Sequence, residues 1–286
     1  MRENTSLFVV SFDWLQQHLG QPYLSVVDAS WYLPAQNRDA KAEFASARIP
    51  GAVYFDIDAI ADQTSSLPHT LPLAEQFAAQ VGAMGISETD TIVVYDALGM
   101  FSAPRVWWMF RTFGAKNVFV LDGGFDKWKT EGRPTETSEI SKIKAVIFKP
   151  LLNQGAIANF DEMMRIVETG DTQIADARGA GRFEGRDPEP RAGMRSGHMP
   201  GARNVPFSAL SEGGRLKPLP ALKLVLEAAG VDLERPIVTS CGSGVTAAVI
   251  TLALQSLGHH DNKLYDGSWS EWGGRDDTSV VTGLTG

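Results

Sequence analysis

The one cysteine in the chain, Cys241, opens the run Cys241-Gly242-Ser243-Gly244-Val245-Thr246, and this run is where the sequence points to covalent chemistry. A cysteine is a nucleophile only as its thiolate, so its setting decides its reactivity. Here it closes a short β-branched run, Pro236-Ile237-Val238-Thr239-Ser240, and precedes a long apolar stretch with helical character. Open α/β sheets place ligands at such strand ends. Gly242 and Gly244 permit a tight loop whose N–H groups turn inward. The helix start that follows adds a positive partial charge. Both effects favour an anion at the sulfur, whether thiolate or persulfide, without a cationic side chain in the loop.

The elements that must hold this loop occur twice. Ser25-Val26-Val27-Asp28 resembles Gln173-Ile174-Ala175-Asp176, and Arg48-Ile49-Pro50-Gly51-Ala52 resembles His198-Met199-Pro200-Gly201-Ala202. Thr91-Ile92-Val93-Val94-Tyr95 aligns with the strand before Cys241, and Leu121-Asp122-Gly123-Gly124-Phe125 with Tyr265-Asp266-Gly267-Ser268-Trp269. Matches in one order at nearly constant offset imply two homologous domains. Short β-branched runs alternate with amphipathic segments, predicting α/β domains with mainly parallel sheets flanked by helices. Helices are expected over Ala103 to Phe113, Val245 to Leu257, and from a capping box at Asn159 and Glu162 to about Glu168. The boundaries expected are 1–135 for a first domain, 136–156 for a polar linker and 157–286 for a second domain. In the first domain the position of Cys241 is taken by Asp96, in a longer and more apolar loop. One domain keeps a nucleophile and the other has none.

The Pro-Gly-Ala repeats, Ser102-Ala103-Pro104-Arg105 followed by Trp107-Trp108, the cysteine loop and Trp269-Ser270-Glu271-Trp272 together resemble the tandem-domain rhodanese superfamily over nearly the whole chain. Thiosulfate-using members typically carry Arg and Lys after the cysteine. Members using 3-mercaptopyruvate carry Gly and Ser, as Gly242 and Ser243 do here. The resemblance implies a site between the domains, with Cys241 carrying sulfur as a persulfide and pyruvate as the product. It implies that Arg182 and Arg191 bind the donor's carboxylate and carbonyl. Guanidinium forks suit a planar 2-oxo acid. Arg186 lies between them and is open to confusion with either. Gly242, Gly244, Val245 and Thr246 would complete the cradle. A relay of Ser243, His69 and Asp58 is also implied, with a plain interface histidine as the alternative for His69. Arg48 and His198 read as structural, and Phe125, Trp128, Trp269 and Trp272 as core. Trp107 and Trp108 are expected to be buried at the domain interface.

Composition bounds the rivals. The net charge of −8 gives no global field for nucleic acid or anionic membrane, so an anionic substrate needs a local arginine trap. One cysteine excludes an intrachain disulfide and fits a reducing, cytoplasmic setting. The stretch Leu7 to Val10 is too short for a signal peptide, and no run reaches the length of a membrane span. The histidines are too scattered for zinc, and the chemistry needs no metal or organic cofactor. The expected partners are a small sulfur donor and a thiol acceptor such as thioredoxin, with cyanide as an assay acceptor. A cysteine phosphatase would want an arginine closing the loop, where this chain has Ala247 and Ala248. A thiosulfate:cyanide sulfurtransferase is the nearest rival activity, and a non-enzymatic binding module is the rival outside catalysis.

Overall fold

The computed structural model describes residues 4–137 and 143–284. The first sheet is built from β1 (Val9–Val10), β2 (Leu24–Asp28), β3 (Ala52–Tyr54), β4 (Thr91–Tyr95) and β5 (Val118–Leu121), in the order β1-β5-β4-β2-β3. The second uses β6 (Ile157–Ala158), β7 (Gln173–Asp176), β8 (Ala202–Asn204), β11 (Ile237–Ser240) and β12 (Asn262–Tyr265), in the order β6-β12-β11-β7-β8. Every ladder in both sheets is parallel. A small antiparallel hairpin, β9 (Ser211–Glu212) and β10 (Arg215–Leu216), stands apart. The register matches as well as the order: Val26 faces Val93 in the first sheet and Ile174 faces Val238 in the second. The ladders therefore end with Asp28 beside Tyr95 and Asp176 beside Ser240, and the next residues are Asp96 and Cys241.

Alternation along the strands sends side chains to two faces of each sheet. Val27, Ile92 and Val94 face one continuous core that also takes in residues of the second domain such as Ala175, Ile237 and Leu252. Helices α3 (Ala74–Ala83) and α4 (Ala103–Thr112) join it from the first domain, and α8 (Leu219–Ala228) and α9 (Ala247–Ser256) from the second. Helix α4 packs on α9, and both are buried along almost their full length. That apolar contact fixes the two strand ends relative to each other. Val26, Val93 and Tyr95 point outward, to a second core with α1 (Phe12–His18), α2 (Ala40–Ser46) and α5 (Gly124–Thr130). The corresponding core of the second domain uses α6 (Phe160–Thr169), α7 (Ala180–Phe183) and α10 (Ser268–Trp272).

Two details depart from the sequence reading. Asn159 caps α6 by accepting from the Glu162 N–H at 2.9 Å, but Glu162 does not return the bond; its carboxylate pairs with Lys263 of β12 at 2.6 Å. Helix α9 begins at Ala247 rather than Val245, so Val245 and Thr246 belong to the loop. Part of the expected linker, residues 138–142, lies outside the described residues. Downstream, the N–H groups of Val146, Leu151 and Asn153 bond to Gly82, Phe113 and Thr112, and Phe148 is buried between Phe77 and Phe110. This stretch of the linker is pinned to the first domain.

Candidate active site

Cys241 leaves the end of β11 buried, at 2% exposure. Its backbone is fixed from α10: the Trp269 N–H donates to the Cys241 carbonyl at 2.9 Å, and the Ser270 N–H and hydroxyl donate to the Gly242 carbonyl at 2.9 and 2.7 Å. The Cys241 N–H donates to Ser268 Oγ at 3.2 Å. Gly244 turns the chain toward α9 at φ 79°, a conformation that favours glycine. Among the described residues, the N–H groups of Gly242 through Thr246 have no protein acceptor. They are the open donors of the loop that leads into α9, beside a buried sulfur.

The first domain supplies the opposite wall. Ser243 Oγ lies 2.8 Å from His69 Nδ1, and His69 Nε2 lies 2.8 Å from Asp58 Oδ1. The Trp31 indole donates to Asp58 Oδ2 at 3.0 Å. The His69 bond holds the Asp58 carboxyl below the usual carboxylate range, against the cost of partial burial. An ionised carboxylate only accepts, so Nε2 donates to Asp58, and in the neutral ring that leaves Nδ1 to accept from the Ser243 hydroxyl. His69 is buried at φ 63°, a left-handed conformation that histidine tolerates better than most residues. The three residues implied by family resemblance are thus within hydrogen-bonding distance across the domain boundary.

Arg105 of α4 secures that contact, and sequence reasoning assigned it no role. Fully buried, it donates to the His69 carbonyl at 2.6 Å, to Asp266 at 2.7 Å and to the Gly244 carbonyl at 3.4 Å. The other Asp266 oxygen accepts from the Leu71 N–H at 2.7 Å. One guanidinium therefore ties the histidine segment to the cysteine loop. Gly244 itself is not among the residues that line the cleft; its carbonyl is taken by Arg105.

Arg182 and Arg191 converge on Gly242: a methyl group there would sit 3.1 Å from Arg182 Nη2 and 3.9 Å from Arg191 Nη1. The absent side chain leaves room for the two cations. Arg182 pairs with both carboxylate oxygens of the buried Glu189, which also accepts from Arg178 at 2.8 Å. Arg191 makes no hydrogen bond or ion pair among the described residues. Burial pulls its guanidinium below the usual value, with the Cys241 sulfur opposing and Arg182 adding to the shift. Arg186 points away, exposed and paired with Glu184 at 2.5 Å. That separates it from the two arginines it lies between.

These groups line a cleft between the domains, with Cys241, Gly242, Ser243, Val245 and Thr246 on one side and Trp31, Leu33 and Phe101 on the other. Trp31 stacks on Phe101, and Phe101 packs on Phe207. These aromatic residues were missed because they sit in irregular loops; the signal available was their position just after β2 and β4. Trp107 and Trp108 are buried in the core and do not line the cleft. Arg48 and His198 are structural: Arg48 pairs with Glu136, and His198 stacks on Phe183 and bonds to its carbonyl.

A repeated parallel sheet with a cysteine loop at one switch point defines a class, and comparison with known proteins agrees. The model of the rhodanese-like domain matches residues 11–131 and again 159–275, and the chain belongs to the rhodanese family in its tandem-domain form. Within that family it is 41% identical to the 3-mercaptopyruvate sulfurtransferase of Escherichia coli K12, over 96% of this chain and 98% of the relative. It is also 41% identical to the mitochondrial thiosulfate/3-mercaptopyruvate sulfurtransferase 1 of Arabidopsis thaliana, over 97% of this chain and 79% of the relative. Among solved structures, SseA from Escherichia coli, a 3-mercaptopyruvate sulfotransferase, superposes with a TM-score of 0.85 at 39% identity, covering 93% of this chain and 99% of that one.

Proposed function

We propose that this sulfurtransferase takes sulfur from 3-mercaptopyruvate onto Cys241 and passes it to a thiol acceptor. The observation that carries the reading is the convergence on one cysteine loop of two arginines from its own domain and a Ser-His-Asp chain completed by the other. The donor's carboxylate and carbonyl meet Arg191 and Arg182. The Cys241 thiolate attacks the donor sulfur, forming an S–S bond as the C–S bond breaks. The electron pair of that bond goes to carbon as the enolate of pyruvate. The proton of the donor thiol passes by way of Ser243, with His69 and Asp58 behind it, to that carbon. Thiolate and mercaptopyruvate thus become persulfide anion and pyruvate, with atoms and charge balanced. The unclaimed N–H groups of Gly242 through Thr246 hold the persulfide until an acceptor, such as thioredoxin or cyanide, takes the outer sulfur. This is covalent catalysis in two half-reactions.

The relative named for both donors makes thiosulfate the second reading to test. Side-by-side turnover with the two donors, with intact mass measured after each, decides between them. Faster turnover with mercaptopyruvate and one added sulfur atom support the proposal. Preference for thiosulfate, or no sulfur adduct, would overturn it.

A further inference from the structure

The structure assigns Glu189 as a residue that sets donor choice by fixing the charge the cleft presents. The inference rests on the donor reading above and adds a determinant outside the cysteine loop. Three arginines stand at the domain-two side of the cleft: Arg178, Arg182 and Arg191. Arg178 is engaged at all three of its nitrogens. Its Nε and Nη2 bond to both oxygens of Asp176, its Nη2 also to the Gly197 carbonyl at 2.9 Å, and its Nη1 to Glu189. Glu189 shares that oxygen, Oε1, with Arg182 and gives its other oxygen to Arg182 alone. Asp176 and Glu189 are both buried, so these two anions offset the two cations beside them with little help from solvent. Arg191 is left without a hydrogen-bonded or ion-paired partner among the described residues; the anions it feels at longer range are the Cys241 sulfur, Glu189 and Asp58.

An arginine wall with one cation left outside any ion pair suits a donor carrying one negative charge. Mercaptopyruvate brings a single carboxylate, and Arg182, already neutralised, still offers N–H groups to a neutral carbonyl. Thiosulfate brings two charges and no carbonyl. Glu189 stands beside the place where the second charge would have to be met. The two features act together: Gly242 and Ser243 add no cation, and Glu189 cancels one that is present. Glu189 touches neither sulfur nor donor in this account; it acts through Arg182.

The test is steady-state kinetics of Glu189→Gln and Glu189→Asp with both donors. Glutamine keeps the shape and removes the charge; aspartate keeps the charge and shortens the reach. The expected result is that Glu189→Gln raises the ratio of kcat/KM for thiosulfate to that for mercaptopyruvate by about tenfold or more, mainly through the KM of thiosulfate. Glu189→Asp should hold the wild-type ratio even if both rates fall. Equal losses with both donors in Glu189→Gln, or the same change of ratio in Glu189→Asp, would overturn the inference and leave Glu189 as a prop for Arg182. Should Glu189→Gln fail to fold, the wild-type enzyme carries the test. Sulfate, a dianion like thiosulfate, should then compete with mercaptopyruvate no better than the monoanion acetate, and stronger inhibition by sulfate would sink the idea. Sulfur loading of the wild type from mercaptopyruvate, read by intact mass, keeps the two failures apart. If loading occurs but the ratio does not shift, only the Glu189 inference falls; if loading is absent, the donor reading falls first.

Discussion

The loops after β4 and β11 start from the same register and are stapled in the same way, yet one is filled and the other open. In the first domain the Phe125 and Asp126 N–H groups donate to the Asp96 and Ala97 carbonyls; in the second, Trp269 and Ser270 do the same for Cys241 and Gly242. The difference lies in the donors of the loop. The buried Asp96 carboxylate accepts from the N–H groups of Gly99, Phe101, Ser102 and Ala103. Burial pushes its carboxyl up, and those four N–H groups pull it back. In the Cys241 loop the matching donors have no protein acceptor among the described residues. Both loops are cradles for an anion. The first is filled by its own Asp96 side chain, and the second is free for a sulfur anion that comes and goes. The first domain has lost the nucleophile and kept the electrostatics, and it now contributes Trp31, Asp58, His69 and Arg105 to its neighbour's site.

The comparison is broken most directly at the two loop heads. Cys241→Ser should abolish both the sulfur adduct and turnover, since the chain has no other thiol. Asp96→Cys should create a second cysteine that takes up no sulfur from mercaptopyruvate. At the offset that pairs Asp28 with Asp176, the positions of Arg182 and Arg191 hold Pro34 and Glu43, so the first domain lacks those two donor arginines. Intact mass of both variants after donor treatment reads the outcome. A second adduct in Asp96→Cys would mean that the cradle alone suffices.

The next largest effect is expected at the clasp between the domains. Arg105→Met should remove the cation that holds Asp266 and the His69 carbonyl. Breaking one side of a buried ion pair typically costs about 3–5 kcal/mol. Thermal unfolding should report that loss, and kcat should fall more than KM rises, because the donor contacts on Arg182 and Arg191 are untouched. A stable variant with unchanged kcat would show that packing of α4 on α9 positions His69 without help.

How much of the molecule is legible in its sequence follows from what each feature depends on. The strands around Val93 and Val238, the helix over Ala103–Thr112 and the pairing of the domains rest on local periodicity repeated twice, which a sequence displays directly. Cys241 was legible because one residue type and its adjacent glycines carry the signal. Arg105 and Glu189 were not, because their importance lies in partners 161 residues away in one case and in charge compensation within a loop in the other. The relay was reachable only through family resemblance: nothing in the spacing of Asp58, His69 and Ser243 predicts that the packing of α4 on α9 brings them together.

A smaller effect separates the two domains at Asp28 and Asp176. Each ends its strand buried and accepts from the N–H two residues on, at 2.8 Å from Ser30 and 2.9 Å from Arg178. Asp176 is also paired with the Arg178 side chain; Asp28 has no cation there, and burial pushes its carboxyl up to about 6. A carboxyl raised in the folded state binds protons more tightly there than in the unfolded chain. Stability therefore falls as pH rises from about 4 to about 6, by on the order of 3 kcal/mol in all. Asp28→Asn, which keeps the acceptor for Ser30, should remove that slope and raise stability at pH 8, as urea unfolding at several pH values would show. An unchanged slope would assign it to another group.

The smallest expected effect sharpens the contrast inside the catalytic domain, between a paired arginine and a free one. Arg191→Gln removes a charge-assisted hydrogen bond to the donor, typically worth about 1.5–3 kcal/mol, so kcat/KM for mercaptopyruvate should fall roughly ten- to a hundredfold. Arg182→Gln removes a bond of the same kind and does one thing more: it frees one oxygen of the buried Glu189, turning a negative charge toward the incoming carboxylate. Its loss should at least equal that of Arg191→Gln. Adding Glu189→Gln to Arg182→Gln should recover part of it, whereas adding Glu189→Gln to Arg191→Gln should recover less. Non-additivity confined to the first pair is the signature of direct coupling. Equal recovery in both pairs would reduce the arginines to a general positive field, and no recovery in either would show that the Glu189 charge does not reach the donor.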